Sequence, residues 1–160
     1  MMRVLIVSDT HGKHDTLEYI VQKDGPFDVM IHLGDSEVDL EELCQIAQCP
    51  VEAVAGNMDR DPILPLEHLF ELEGYRILIC HGHRANVNAG LLRLEYMARE
   101  KEADIVMYGH THVPYLDQEE DLIILNPGSL SYPRPWGEQP SYGVMEIDEE
   151  GEVEILHKFL

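Results

Sequence analysis

Positive charge is scarce in this 160-residue chain: 11 Lys and Arg stand against 31 Asp and Glu, a formal net charge of −20 at pH 7. A surface so anionic repels nucleic acid and acidic lipid at long range, which argues against a nonspecific binder of either. Long apolar runs are lacking as well. None approaches the ~20 residues that span a bilayer, so no membrane partner is expected. Met1 to Ser8 lack the layout of a secretion signal, because their apolar stretch runs straight into Asp9. Cysteine is sparse: Cys44, Cys49 and Cys80 are an odd number without CxxC spacing. They offer no disulfide framework and read as small buried side chains in a reducing compartment. A cytoplasmic location is the expectation. Repeats and low-complexity linkers are missing too, and the length suits one domain, residues 1–160, with a real core.

What is present is alternation. Arg3 to Ser8 reads as a strand and Lys13 to Lys23 as a helix, with Leu17, Ile20 and Val21 on one face and Asp24-Gly25-Pro26 as its stop. Strand Val29 to His32 follows, then a helix from Ser36 with Val38, Leu40, Leu43, Ile46 and Ala47 apolar. Ser36 serves as its N-cap, with Glu37 and Asp39 in the first turn. Val51 to Val54 closes a βαβαβ run, which predicts parallel strands with right-handed crossovers. The second half is mostly β. His68 to Leu72 and Arg76 to Cys80 flank a turn at Glu73-Gly74. A helix from Gly90 to Glu102, with Leu91, Leu92, Leu94, Met97 and Ala98 as core, precedes strand Ile105 to Tyr108. Val113 to Leu116 and Leu122 to Leu125 form a hairpin around Gln118 to Asp121. Ser141 to Ile147 and Glu152 to Phe159 form another about Glu150-Gly151. Between them Ser129 to Pro140 is a loop of Pro, Gly and aromatic residues. About ten strands exceed what one open sheet usually carries without splitting. The predicted fold is α/β: a four-layer αββα sandwich, two mixed β-sheets flanked by helices.

Five clusters carry the chemistry: Asp9-Thr10-His11, Gly34-Asp35, Gly56-Asn57, His81-Gly82-His83 and Gly109-His110-Thr111-His112. Val4 to Val7, Val29 to Ile31, Ile77 to Ile79 and Ile105 to Val106 lead into four of them, and Val51 to Val54 into the fifth. The C-terminal ends of strands in α/β folds meet on one edge, where ligands bind. Clusters a hundred positions apart in sequence are therefore expected to converge. Asp9, Asp35, His11, His81, His110 and His112 offer carboxylate oxygen and imidazole nitrogen, and Asn57 an amide oxygen. Mixed N/O ligation suits Mn, Fe, Ni, Co or Zn better than Mg or Ca. The pairs Asp9/His11 and His110/His112 face one side if their backbone is extended. Seven ligands are too many for one ion and about right for two, the recurrent device of phosphoryl chemistry. Glycine beside nearly every candidate permits tight turns and close backbone approach.

Together these motifs resemble the signature of calcineurin-like metallophosphoesterases. More narrowly, Ser8-Asp9-Thr10-His11-Gly12 and Asn126-Pro127-Gly128-Ser129 resemble the small single-domain YfcE-type phosphodiesterases, over nearly the whole chain. The resemblance implies the αββα sandwich and two divalent ions, Mn2+ first, with Ni2+, Fe2+, Co2+ and Zn2+ as alternatives. One ion would be held by Asp9, His11, Asp35 and His112. The other would be held by Asp35, Asn57, His81 and His110, with Asp35 as the bridge. It also implies hydrolysis of small phosphodiesters by a metal-bridging hydroxide attacking phosphorus in line. Beyond about 8 Å the surface charge is screened, so the local field at the metals governs a small anion at contact range.

The sequence departs from the pattern after Asn57. Many family members carry there a His that protonates the leaving group; here it is Met58, which cannot. His83 is a substitute acid or, in its plainer reading, a solvent-facing residue. Asp59 is expected to orient a neighbouring His rather than to bind metal. Arg134 meets substrate phosphate or, among Pro133, Pro135 and Trp136, serves as a surface or subunit contact, so association of identical chains stays open. His14, His32, His68 and His157 read as structural or surface residues. Two readings compete with the phosphodiesterase. One is a non-catalytic scaffold for protein binding, a use of this fold in a retromer subunit. The other is a nuclease of the same superfamily, disfavoured by the acidic surface.

Overall fold

The computed structural model describes residues 1–118 and 121–160. Among these the chain runs β1 (Met2–Val7), α1 (Asp15–Asp24), β2 (Val29–His32), α2 (Leu40–Ala47), β3 (Val51–Ala53), β4 (Glu67–Leu72) and β5 (Tyr75–Cys80). It continues with α3 (Leu92–Glu100), β6 (Ile105–Met107), β7 (Tyr115–Asp117), β8 (Ile123–Asn126), β9 (Ser141–Ile147) and β10 (Val153–Phe159). Glu119 and Glu120, expected at a hairpin tip, lie outside the described residues. No helix among the described residues is long and apolar enough to cross a membrane.

The strands form two five-stranded sheets, ordered β10-β9-β1-β2-β3 and β4-β5-β6-β8-β7. Both are mixed. β1, β2 and β3 run parallel, Val4 opposite Val29 and Met30 opposite Val51, as the helical crossovers require. β9 and β10 extend that sheet antiparallel. In the second sheet β5, β6 and β8 are parallel, and β4 and β7 pair antiparallel at its edges.

Side-chain alternation shows why two sheets form. Val4 and Ile6 of β1 point into a cluster with Ile77, Ile79, Ile105 and Met145, which fills the space between the sheets. Leu5 and Val7 point the other way, against Leu17 and Ile20 of α1 and Leu43 of α2. β5 repeats the pattern: Ile77 and Ile79 face inward, Leu78 and Cys80 face Leu94 and Ala98 of α3. Strands apolar on both faces need cover on both faces. The result is two mixed sheets with helices on the outside, as predicted.

Four local expectations need correction. The second helix begins at Leu40, with Asp39 as N-cap accepting from the Glu42 N–H at 2.9 Å, not at Ser36. Asp59 captures the Glu37 N–H at 2.8 Å, and Glu37 sits at φ 60, a backbone no helix holds. Leu92 is 63% exposed at the start of α3, whose buried face is Leu94 and Ala98. The seventh strand starts at Tyr115, past Pro114, which has no N–H to give a ladder. Of the three unpaired cysteines Cys80 is buried, while Cys44 and Cys49 are half-buried.

Candidate metal centre

The loops that follow β1, β2, β5 and β6 carry Asp9 and His11, Asp35, His81 and His83, and His110 and His112 respectively. Their backbone is turned, not extended. Asp9 (φ 56), His11 (50), Asp35 (57), His110 (70) and His112 (61) all occupy the left-handed region. Side chains rarely adopt it, and a group of them together marks turns that the surroundings hold in place. Convergence of the i, i+2 pairs thus comes from tight turns rather than from strand geometry. The turns are locked to one another: the Asp9 N–H donates to Gly34 O at 3.0 Å and the His11 N–H to Asp35 O at 2.8 Å. Ser129 Oγ donates to Asp9 O (2.8 Å), Ser131 Oγ to Thr10 O (2.7 Å) and Asn126 Nδ2 to Gly109 O (3.2 Å). The Asn126–Ser129 run therefore staples the Asp9 loop to the His110 loop. Gly34 (φ 102) is required where it stands, since a Cβ there would lie 2.7 Å from His81 Nδ1.

Each of three histidines has one ring nitrogen committed. His81 Nδ1 bonds Leu33 O at 2.7 Å, His112 Nδ1 bonds Tyr132 O at 2.6 Å, and His11 Nδ1 meets Glu37 Oε1 at 2.7 Å. An acceptor on Nδ1 fixes the proton there and leaves Nε2 with a bare lone pair. Those lone pairs face electron-rich partners. His11 Nε2 and His112 Nε2 stand 3.4 Å apart. His112 Nε2 is 3.2 Å from Asp9 Oδ1, and His81 Nε2 is 3.2 Å from Asp35 Oδ2 and 3.7 Å from Asp9 Oδ1. Asp9 Oδ1 and His81 Nε2 are buried with no hydrogen-bond partner. Such opposition needs a proton or a cation between the atoms. Donors ~2.1 Å from one ion lie ~3.0–3.4 Å apart, close to the shorter separations here. Among the described residues two groups qualify, Asp9/His11/His112 and Asp9/Asp35/His81, the atoms of each lying within 4.8 Å of one another. The donor set fits a divalent cation.

The protonation of the cation-free cluster agrees. Burial pushes the Asp9 carboxyl up, but the adjacent His112 imidazole, the His81 charge and the Ser8 hydroxyl outweigh it and hold the group below its usual range. Burial opposes ionisation of Asp35 too, yet His81 and the Met58 N–H lower it to about 2. Against its own burial, the neighbouring carboxylates of Asp35 and Asp9 and the Leu33 carbonyl raise His81, so a proton on Nε2 is favoured where no cation stands between it and Asp35. Negative charge is held here at neutral pH whether or not a cation is present.

Other expected residues are placed as follows. His110 lies ring to ring with His81 at 5.1 Å, outside both donor groups, and its N–H donates to Asp9 Oδ2 at 3.0 Å. Asn57 is exposed at the rim, beside Met58, whose N–H donates to Asp35 Oδ1 at 2.8 Å. Asp59 does not orient a histidine. Its Oδ2 accepts the N–H groups of Asp35 and Gly56, both at 2.7 Å, and so joins the Asp35 loop to the Asn57 loop. His83 is half-buried, 5.4 Å from the His81 ring, with Nδ1 unpartnered. Arg134 is exposed and donates its backbone N–H to His112 O at 3.1 Å.

Sequence reasoning missed Glu37, read as part of a helix first turn, because nothing in sequence shows the φ 60 that swings it onto His11. It also missed the footing of the Asp9 loop. Thr10 Oγ1 lies 2.9 Å from both His14 Nε2 and His32 Nε2, and His32 Nδ1 accepts the Gly34 N–H at 3.1 Å. The tautomers follow: His32 donates to Thr10, and Thr10 donates to His14. His14 and His32 are thus structural, as expected. His68 pairs with Glu52 at 2.9 Å, and His157 bonds Asn126 O at 2.6 Å.

Comparison with known proteins bears on this geometry. The family model of the calcineurin-like phosphoesterase superfamily domain matches residues 2–150. A probable metallophosphoesterase of Methanothermobacter thermautotrophicus is 36% identical over 156 residues, covering 93% of this chain and 88% of that protein. The phosphodiesterase YfcE of Escherichia coli is 28% identical over 172 residues, 92% of this chain and 89% of that protein. Among solved structures, Vps29 of Entamoeba histolytica complexed with zinc shares the fold at 20% identity, with TM-score 0.79 over 99% of both chains.

Proposed function

We propose that this chain, which belongs to the calcineurin-like phosphoesterase superfamily, is a metal-dependent phosphodiesterase acting on small phosphodiesters at a two-cation centre. The observation that carries this reading is the set of opposed lone pairs: three imidazole Nε2 atoms and the orphaned Asp9 Oδ1 gathered in one buried cluster. Asp9, His11, Asp35 and His112 are assigned to one cation, and Asp35, Asn57, His81 and His110 to the other, with Asp35 shared. Oxygen and imidazole donors suit Mn2+, Ni2+, Fe2+, Co2+ or Zn2+, and the family resemblance puts Mn2+ first. When bound, such ions activate water and neutralise the charge that gathers on phosphoryl oxygens.

The chain's own residues do the rest. Asp59 and Ser129 hold the Asp35 and Asp9 loops in their turned backbone, so the donors stand in place before substrate arrives. In hydrolysis a water oxygen bonds to phosphorus, one ester P–O bond breaks, and the departing oxygen takes a proton. Met58 has none to give, and we assign that proton to His83, beside His81 and His110. The −20 surface slows approach of long polyanions, which favours small substrates. The name of the Escherichia coli relative supports the diester preference. Three unpaired cysteines support a reducing compartment, the cytoplasm.

The test is metal-loaded protein offered bis(p-nitrophenyl) phosphate, p-nitrophenyl phosphate, alkyl monoesters and an oligonucleotide, with elemental analysis alongside. Two ions per chain and fastest cleavage of the aryl diester are expected. Two ions with no hydrolysis of any ester would leave the protein-binding scaffold standing in its place. Fastest cleavage of the oligonucleotide would make it a nuclease.

A further inference from the structure

The metal cluster opens on a cleft of about 890 Å³, walled by His11, His112, Tyr132, Arg134 and Trp136. Its outer wall is the loop from Ser129 to Pro140. At its base this loop is tied to the cluster: Tyr132 O accepts from His112 Nδ1, the Arg134 N–H donates to His112 O, and the Tyr132 ring meets His11 edge-on at 5.5 Å. At its tip it holds Trp136, the only tryptophan of the chain, 100% exposed. Pro133 and Pro135 flank the approach to that tip and limit the loop's freedom. A wholly solvated indole on a stiffened loop beside a catalytic cluster contributes nothing to the core. It is suited to what enters the cleft.

We propose that this cleft is the subsite for one arm of the substrate, and that the arm ends in a planar aromatic ring, as in a nucleoside base, stacked on Trp136. The proposal rests on the phosphodiesterase reading of the cluster. Three features set the chemistry. An indole face binds flat rings of any identity, which suits a base or an aryl group and gives a short alkyl arm little. Arg134, which lines the cleft with Trp136 and His112, carries a guanidinium whose paired N–H donors suit phosphoryl oxygens. Glu37 and Glu138, which also line the cleft, repel an arm that carries a second phosphate. A phosphodiester with a nucleoside-like arm is therefore favoured over one with a nucleotide or polyphosphate arm.

Because Trp136 is the sole tryptophan, its fluorescence reports the subsite without turnover. The full chain, metal-free and metal-loaded, is titrated with thymidine 5′-monophosphate, phenyl phosphate and methyl phosphate under excitation at wavelengths that thymine does not absorb. Saturable quenching by the first two and none by methyl phosphate is expected. Hydrolysis is then compared for two esters with the same leaving group, the p-nitrophenyl ester of thymidine 5′-monophosphate and methyl p-nitrophenyl phosphate. In Trp136→Phe the preference for the nucleoside ester should survive in large part. In Trp136→Ala the ratio of kcat/KM values should fall about tenfold, the scale of one lost base stack. An unchanged ratio, equal quenching by methyl phosphate, or a blue-shifted tryptophan in a ligand-free dimer would each overturn the proposal, the last giving Trp136 to a second copy of the chain. Ring-dependent quenching by a metal-loaded protein that hydrolyses neither ester would sink the phosphodiesterase reading and leave the aromatic subsite in place.

Discussion

His81 and His11 present the same ring nitrogen to the same two carboxylates, His81 at 3.7 and 3.2 Å and His11 at 3.8 and 3.9 Å from Asp9 and Asp35. They are held by different means. His81 is fully buried and anchored to a backbone carbonyl, Leu33 O, at the end of β2. His11 is half-buried on the cleft side and anchored to the exposed carboxylate of Glu37. The closed side is thus fixed by the sheet itself and changes only if the fold does. On the open side His112 is held by the Tyr132 carbonyl, but His11 hangs on a single side chain, so substitution of Glu37 can alter its grip on a cation and leave the fold intact. This is the side that faces the aromatic cleft.

The largest effect should come from the residue proposed to be shared by both cations. Asp35→Asn removes the charge that faces His81 and His11 together. Without that charge the cations are bound and positioned poorly, so diester hydrolysis should drop by ~10²-fold or more. Elemental analysis should show fewer than two ions per chain. Retention of both ions with full turnover would end the claim that the two sides share Asp35.

Next in size is a pH effect beneath the open side. Burial pulls His32 from 6.5 down to about 4, so the folded protein keeps this imidazole neutral for its bonds to Thr10 and Gly34. As pH falls below about 6.5 the unfolded chain takes up a proton that the folded chain refuses until about 4. Stability is therefore complete above the unfolded value and declines through that window, by about 3 kcal/mol in all. Urea unfolding of metal-free protein at pH 7 and pH 4.5 measures it, and His32→Gln should flatten the slope. The same slope in both proteins would remove His32 from the account.

Glu37→Gln then tests the contrast directly. Partners that orient a ligating His are usually worth 10–100-fold in metal affinity, and a neutral amide holds the His11 proton less firmly than a carboxylate. Calorimetric titration with Mn2+ should show one of two sites weakened by roughly tenfold or more, with the other little changed. Equal weakening of both sites would mean that the two sides do not hold their cations separately.

Why the sheets were legible in sequence and the site's bracing was not follows from the same contrast. β2 and β9 match their apolar runs end to end, and β1 and β5 within a residue, because burial on both faces leaves an uninterrupted signal. The candidate ligands were legible because each sits a few residues past such a run, in a short cluster that contains or adjoins a glycine. The bracing carries no such mark. Glu37, Thr10, His32 and the carbonyls of Leu33 and Tyr132 act through left-handed turns and long-range contacts, and Thr10 reaches His32 across 22 positions. Asp59 stands out in the sequence, but its partners do not. A carboxylate on a loop does not announce whether it will meet an imidazole or, as here, three backbone N–H groups.

The smallest expected effect lies on the closed side, at His83. If it protonates the leaving oxygen, His83→Ala should slow alkyl diesters and spare aryl ones, whose phenolates leave without help. A well-placed acid is worth ~10²–10⁴-fold. His83 should fall short of that. Its own burial first, and then the charge of His81, lower its pKa, so a minority of molecules carry the proton at neutral pH. A loss nearer tenfold on alkyl diesters is the expectation, growing as pH falls and more His83 is protonated. The measurement is kcat/KM for bis(p-nitrophenyl) phosphate and for an alkyl diester, in wild type and variant, across pH 5.5 to 8.5. Equal losses on both substrates would reduce His83 to a packing neighbour of His81 and His110. An alkyl-selective loss that vanishes at high pH would instead give the closed side a chemical task of its own, opposite the open side's task of binding.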